Sequence, residues 1–172
     1  MVGQPEFAEG TLRELLLAIR GGFVLYRPVL VELTNLPRVS NSTLDHTITL
    51  VQSIEWSTPR ALEYERHRAV ILGPNTALAS ADVPITVGRS RRCDVRVGNE
   101  SVSKVHCAFY ANRDGSVDLV DSGARNGTFV DGLPIEPGQR RALWPGVHIA
   151  LGDAVFVFLD PATLRQLARL TS

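Results

Sequence analysis

The sequence predicts a mostly β protein whose main part is an antiparallel β-sandwich, with an α+β N-terminal extension and a short C-terminal helix. Between Arg68 and Asp160, short apolar stretches end at turn residues about every 8–12 residues, a spacing typical of sandwiches. The same stretch lacks a long helical period, which argues against helical and α/β folds. The composition, 44% hydrophobic and 21% charged, is that of an ordinary folded protein.

Residues 1–67 are predicted to form the α+β extension. Leucine and isoleucine recur at helical spacing in Thr11–Arg20, and Gly21-Gly22 follows as a stop signal. Apolar and β-branched residues predict three strands, Phe23–Tyr26, Val29–Leu33 and Thr47–Ile54. A second helix is expected to begin near Ser57-Thr58-Pro59. Because about 65 residues make only a marginal core, we expect this extension to pack on the sandwich or on a second copy of the chain.

Residues 68–160 are predicted to form the sandwich. Its well-marked strands are Ala69–Leu72, Ile85–Val87, Val105–Tyr110, Val117–Val120, Thr128–Val130 and Ala154–Leu159. Asp131-Gly132 follows one of these strands and is a strong signal for a two-residue hairpin turn. In residues 161–172, three apolar residues share one helical face and Pro161 suits a first helical turn, so a short helix is expected.

Charge, cysteine content and apolar run length exclude several classes of function. The formal net charge is zero, and a protein without a net basic face is not expected to bind nucleic acid. The apolar runs fall far short of the ~20 residues that span a bilayer, and the first 20 residues lack a signal-peptide pattern. Two cysteines cannot build a disulfide framework. A cytoplasmic protein without a membrane span is therefore expected.

Three short segments beside predicted strands follow one another in an informative order. They are Gly88-Arg89, Ser103-Lys104-Val105-His106 and Asn126-Gly127-Thr128. Each segment is weak evidence by itself, since Asn-Gly is also a common turn signal. Taken together, their order and spacing resemble the forkhead-associated (FHA) domain family, in which Gly-Arg, Ser-Arg-x-His and Asn-Gly-Thr lie on a sandwich of about 11 strands. The resemblance covers Ala69–Asp160, roughly half of the chain.

The resemblance implies a binding site for phosphothreonine peptides, and the chemistry of the residues suits that role. A phosphothreonine carries about −1.5 to −2 charges and three acceptor oxygens, so its site needs a fixed cation and neutral donors. Arg89 can supply the cation, Ser103 a hydroxyl donor and Lys104 a second charge. Asn126 can hold the peptide backbone with its amide, and Arg125 can steer acidic groups.

By the same resemblance, four residues support the site without touching the ligand: Gly88, His106, Gly127 and Thr128. Two positions depart from the family pattern. Lys104 stands where arginine is usual, which keeps the charge but loses the planar fork. Ala124 stands where serine is frequent, which removes a hydroxyl donor. Both departures bear on affinity rather than on the fold.

Two rival chemistries find little support in the sequence. The spacing of Cys93, His106, Cys107 and His148 fits no zinc-site pattern. Ser103, His106 and Asp121 could be named as a catalytic triad, but the sequence lacks the GxSxG motif of a nucleophile elbow. No enzymatic activity, cofactor or metal is therefore expected.

The expected function is that of a bacterial adaptor that binds phosphothreonine-containing proteins downstream of a Ser/Thr protein kinase. The alternative is a structural assembly protein that uses the sandwich as a phosphate-independent packing module. In that case residues 1–67 would provide self-association, and a homo-oligomer is possible under either reading. Arg89, Ser103 and Asn126 together favour the adaptor, because a purely structural fold has no need of all three.

Overall fold

The computed structural model describes residues 9–33, 66–74 and 83–170, which contain twelve strands and two helices. In chain order these are β1 (Glu9–Thr11), α1 (Leu12–Arg20), β2 (Val29–Leu33), β3 (Arg68–Ile71), β4 (Ile85–Gly88), β5 (Val95–Arg96), β6 (Cys107–Ala111), β7 (Val117–Asp121), β8 (Thr128–Val130), β9 (Leu133–Pro134), β10 (Arg140–Ala142), β11 (His148–Leu151), β12 (Ala154–Leu159) and α2 (Pro161–Leu170). Neither helix is long and apolar enough to cross a membrane.

The strands form two sheets that face each other, which confirms the predicted sandwich. The larger sheet has the order β1-β3-β2-β12-β11-β8-β9, and the smaller has the order β10-β7-β6-β4-β5. Within the described residues every pairing is antiparallel except that of β4 with β5, which is parallel. The core between the sheets includes Phe109, Leu119, Ile149 and Phe156, all nearly inaccessible to solvent.

A second core lies on the outer face of the larger sheet, beneath the two helices. Helix α1 contributes Leu12, Leu15 and Leu16, and helix α2 contributes Leu164 and Leu167. These side chains pack on apolar residues of β2, β3 and β12. The part of the larger sheet formed by β3, β2 and β12 is therefore buried on both faces, and the predicted C-terminal helix covers part of the second core.

Strand β2 occupies a central position in the larger sheet. It pairs with β3 on one side and with β12 on the other. Leu30 faces the core between the sheets, whereas Val29 and Val31 face the core beneath the helices. The division at residues 67 and 68 stays a prediction about domains, but β2 from the first segment shares one sheet with β12 from the second.

Helix α1 begins with the cap that its sequence favours. The Thr11 hydroxyl accepts a hydrogen bond from the Glu14 N–H, and Glu14 Oε2 accepts one from the Thr11 N–H, so a capping box is complete. The predicted strand Phe23–Tyr26 is wrong: its side chains alternate between buried and exposed, but the segment joins neither sheet. The predictions for Thr47–Ile54 and Ser57-Thr58-Pro59 lie outside the described residues.

The hairpin between β8 and β9 confirms the turn predicted at Asp131-Gly132. Val130 pairs with Leu133, which leaves a two-residue loop. Both loop residues have positive φ, 45° and 80° respectively. This is the geometry of a type I′ turn, for which Asp-Gly is a favoured sequence because glycine tolerates positive φ.

Candidate functional site

Four connections lie together at one end of the sandwich, and we call them the loop cluster: residues 89–94, 97–106, 122–127 and 152–153. They follow the ends of β4, β5, β7 and β11. Because β4, β7 and β11 all run toward this end, the loops converge there and are joined by hydrogen bonds. All five predicted ligand-binding residues lie in this cluster.

Arg89 is held at two points and leaves its charged tip exposed. Its backbone N–H donates to the Ser103 carbonyl at 2.9 Å. Its side-chain Nε donates to the Val102 carbonyl at 3.1 Å. The two terminal guanidinium nitrogens have no hydrogen-bond partner among the described residues. Arg89 therefore presents a partly immobilised, two-pronged donor to solvent, the geometry that suits a phosphate group.

Ser103 joins the first loop to the third. Its hydroxyl oxygen accepts a hydrogen bond from the Arg125 N–H at 3.0 Å, so the hydroxyl proton is available to another acceptor. The same contact holds Arg125 beside Ser103, with its guanidinium exposed. Lys104 is exposed next to Ser103, and its ammonium has no partner among the described residues. The structure thus brings Arg89, Ser103, Lys104 and Arg125 together.

His106 is a completely buried brace between two of the loops. Its Nδ1 accepts a hydrogen bond from the Ser103 N–H at 3.0 Å, and its Nε2 lies 2.9 Å from the Gly127 carbonyl. Because Nδ1 accepts, the proton of the neutral ring must sit on Nε2 and be donated to Gly127. Burial lowers the pKa of His106, while the hydrogen bond to Gly127 and the charge of Asp121 raise it in opposition.

Asp121, which the sequence did not single out as a support, organises the loop that carries Arg125 and Asn126. It lies buried at the end of β7. One carboxylate oxygen accepts from the Thr128 hydroxyl at 2.5 Å, and the other accepts from the Gly123 and Ala124 N–H groups. An aspartate directly before Ser-Gly is the available sequence signal, because aspartate often caps backbone N–H groups in turns.

Asn126 is held by a hydrogen bond to the 97–106 loop of the cluster. Its Nδ2 donates to the Ser101 carbonyl at 2.8 Å, which leaves Oδ1 without a partner among the described residues. Ser101 is itself a junction: its hydroxyl donates to Asn99 Oδ1 and accepts from the Asp153 N–H. An exposed amide oxygen held in this way can accept a hydrogen bond from a peptide N–H.

Gly88 lies where the backbones of two loops come closest. A Cβ at this position would overlap the Lys104 carbonyl group and would lie 3.0 Å from Cys93 Sγ. Any side chain would therefore push the 103–104 segment away from Arg89. The predicted supporting role of Gly88 has a steric basis in this contact.

The catalytic triad that the sequence allowed is not assembled. His106 Nδ1 faces the backbone N–H of Ser103 rather than its hydroxyl, and Asp121 binds Thr128 and loop N–H groups instead of His106. Neither His106 nor Asp121 is therefore placed to remove the proton of the Ser103 hydroxyl. Cys93 and Cys107 are free and buried, and burial raises the pKa of both thiols. Within ranges 9–33, 66–74 and 83–170, no group of His, Cys, Asp and Glu side chains gathers as metal ligands do.

Comparison with known sequences shows similarity over about half of the chain. The oxoglutarate dehydrogenase inhibitor of Corynebacterium diphtheriae is 34% identical over 90 residues, which cover 51% of this chain and 60% of that protein. Protein FraH of Nostoc sp. is 41% identical over 59 residues, 34% of this chain and 20% of that protein. The matched region thus spans less than two thirds of either relative.

Two solved structures share the fold. The FHA domain of protein CT664 from Chlamydia trachomatis has a TM-score of 0.52 at 20% identity, covering 78% of this chain and 98% of its own. The N-terminal FHA domain of S. cerevisiae Rad53p, solved with a phosphothreonine peptide, has a TM-score of 0.50 at 18% identity, covering 82% and 98%. The family model described as FHA domain matches residues 85–152, the stretch that holds all five predicted ligand-binding residues. Residues 85–152 of this chain therefore match the FHA domain family, which confirms the resemblance seen in the sequence motifs.

Proposed function

We propose that this protein binds phosphothreonine peptides at the loop cluster and acts as a non-catalytic adaptor. The observation that carries the proposal is the state of Arg89. Its side-chain Nε is bound to the Val102 carbonyl and its backbone N–H to the Ser103 carbonyl, whereas its two terminal nitrogens have no partner among the described residues. Charge-assisted, two-pronged donors of this kind are the usual means by which proteins hold phosphate groups.

The neighbouring groups supply what a phosphorylated peptide needs besides the cation. The free hydroxyl proton of Ser103 can be donated to a phosphate oxygen, and Lys104 adds a second positive charge. The Oδ1 of Asn126 can accept from a backbone N–H of the peptide. The phosphothreonine peptide bound to the Rad53p domain supports this assignment of ligand class.

The adaptor role concerns the conditions under which this protein would meet a phosphorylated partner in the cell. A protein that binds only the phosphorylated form of a partner requires a Ser/Thr kinase upstream, and a cytoplasmic location would give it access to such a partner. The name of the corynebacterial relative describes an inhibitor, which agrees with regulation by binding rather than by catalysis.

The alternative proposal is a phosphate-independent assembly module that self-associates through residues 1–67. Exposed apolar side chains on this part of the molecule, Leu17 and Tyr26, are the observation in its favour. A packing module gives no reason, however, for the cations of the loop cluster that lack a partner among the described residues. The two proposals differ in whether binding requires the phosphate.

Calorimetric titration with a phosphothreonine peptide and its unphosphorylated copy tests the adaptor proposal. We expect binding of the phosphorylated peptide alone, and Arg89→Ala should weaken it by on the order of 2–5 kcal/mol, since one partner of a charged pair is lost. Arg113→Ala, in an exposed turn between β6 and β7 at the opposite end of the sandwich, is the matched control. An affinity of folded Arg89→Ala within about threefold of the wild type would contradict the proposal.

A further inference from the structure

The charges of the loop cluster are not evenly distributed. Glu100 and Asp153 flank Ser101, whose hydroxyl accepts from the Asp153 N–H. Arg91 and Arg92 lie in the turn after β4. The backbone N–H of Ser90 in this turn donates to the Lys104 carbonyl. Two acidic residues therefore lie near Ser101, and two basic residues lie in the turn that is bound to Lys104.

The basic side has a defined backbone structure. The Cys93 N–H donates to the Ser90 carbonyl and the Arg92 N–H donates to the Ser90 hydroxyl, each at 3.2 Å, so Arg91 and Arg92 form the tip of a closed turn. The turn is fastened to its neighbour, because the Ser90 N–H and the Cys93 thiol both donate to the Lys104 carbonyl. Both tip arginines are exposed. We call residues 90–93 the arginine turn.

The arginine turn has no internal acid to neutralise it. In the described part of the chain, the side chains of Arg91 and Arg92 make neither a hydrogen bond nor an ion pair. The next acid in the sequence, Asp94, is engaged by the N–H and hydroxyl of Thr86, both at 2.8 Å.

Two arginines elsewhere in the described chain have acidic partners. Arg68 pairs with Glu9 and Glu32, and Arg140 pairs with Asp118. Arg113 and Arg169 also lack a partner among the described residues, but they lie outside the loop cluster, so Arg91 and Arg92 are distinguished by their position beside Arg89.

We propose that the arginine turn reads acidic residues, Asp or Glu, on one flank of the phosphothreonine in the bound peptide. This inference rests on the proposed function, because the phosphate placed at Arg89 would bring the flanking residue beside the turn. Charge complementarity is the reason for the choice of ligand: two exposed cations gain from an anionic partner, and a basic residue there would be repelled. Exposed ion pairs are individually weak, so two of them should favour a peptide with an acidic flank over one with a neutral flank by roughly tenfold in affinity.

The test uses the full chain and three phosphothreonine peptides: one with neutral flanks, one with glutamates before the phosphothreonine, and one with glutamates after it. We expect one acidic peptide to bind about tenfold more tightly than the neutral peptide, and the gain to shrink with added salt. The variant R91E/R92E should lose this gain, so that its affinities for the acidic and the neutral peptide lie within about threefold of each other. The matched control R113E/R169E changes the same charge at exposed sites outside the loop cluster and should keep the gain.

The outcomes separate this inference from the proposed function. If the wild type binds the neutral phosphopeptide but neither acidic flank improves affinity, the inference is wrong and the proposed function stands. If R91E/R92E weakens binding of all three peptides equally, the turn acts on the phosphate itself and the inference is also wrong. If unphosphorylated acidic peptides bind as tightly as phosphorylated ones, both the inference and the proposed function fail.

Discussion

Single residues of the loop cluster act mainly by fastening one backbone segment to another. His106 joins Ser103 to Gly127, and Asp121 joins β7 to Thr128 and to the start of the next loop. Neither side chain is exposed. They hold in fixed positions the exposed groups that we propose to bind the peptide, so that little ordering would be required on binding.

Gly88→Ala should damage this arrangement although it adds a single methyl group. The new Cβ would overlap the Lys104 carbonyl, which is backbone and cannot swing aside. Forcing extra volume into a packed site typically costs about 1–3 kcal/mol, and we expect weaker peptide binding as well, because Ser103 and Lys104 must shift. Chemical denaturation and peptide titration measure the two effects.

Gly98→Ala is the control for this prediction. It makes the same substitution in the loop cluster, but a Cβ there has no neighbour within 4 Å. This variant should keep the wild-type stability and affinity. Equal stability of the two variants would show that the close approach at Gly88 does not matter.

At the residue scale, the sequence predicted the exposed groups and four of the supporting residues, but it missed two other supports. Arg89, Ser103 and Asn126 were predicted as binding residues because their order follows a family pattern, and the structure places them at one end of the sandwich. Asp121 and Ser101 were missed as supports. Their contacts join residues far apart in the chain, such as Ser101 to Asp153, and no local spacing records such contacts.

At the scale of elements, strands with clear turn signals were predictable and very short ones were not. Strands β8 and β12 match their predicted ranges. Strands β5 and β9 have two residues each, too few for an alternating pattern. The place of β2 was missed although its sequence VLVEL holds a signal: an almost continuous apolar strand is one buried on both faces.

The position of β2 changes the result expected from a shortened chain. Because all the predicted ligand-binding residues follow residue 67, the sequence alone predicts that a chain starting at Arg68 keeps its peptide affinity. The structure leads to the opposite prediction, because this deletion removes β2 from between β3 and β12 and takes helix α1 away from the second core. We expect the shortened chain to aggregate and to lose cooperative unfolding, since β12 becomes an open edge with exposed apolar side chains.

A chain that starts at Glu9 is the control, because it keeps every described element. Circular dichroism, thermal melting and light scattering compare the two deletions. If the chain beginning at Arg68 is a monomer that melts like the full protein and binds the peptide equally well, then residues 1–67 are dispensable and the importance assigned to β2 is wrong.

At the scale of the whole molecule, two buried histidines make stability depend on pH. Burial lowers the pKa of His106, and it also lowers the pKa of His148, against the opposing charge of Asp131. Protonation of His106 would place a proton on Nδ1, opposite the Ser103 N–H that now donates to it. Both rings therefore favour the neutral form in the folded protein.

The sign of the pH dependence follows from the lowered pKa values. Below about pH 6.5 the histidines of the unfolded chain bind protons, whereas those of the folded protein do so only at lower pH. Their contribution to stability is thus fully present above about pH 6.5 and is lost as the pH falls through the folded-state values. Glu14 and Asp114 also have lowered pKa values, through hydrogen bonds to Thr11 and Ser116, but carboxylates of this kind act near pH 4 and below.

We therefore expect the free energy of unfolding, measured in urea, to decrease when the pH is lowered from about 7.5 to about 5. Peptide affinity is a poorer readout in this range, because the phosphate itself titrates near pH 6. The variant His106→Gln should be less stable at neutral pH, since a buried hydrogen-bonding pair is disturbed, but its stability should change less with pH. Adding His148→Gln should flatten the dependence further, because no buried histidine with a lowered pKa would then remain in the described chain. A wild-type stability that is constant or rises toward pH 5 would mean that neither buried ring is held neutral by the fold.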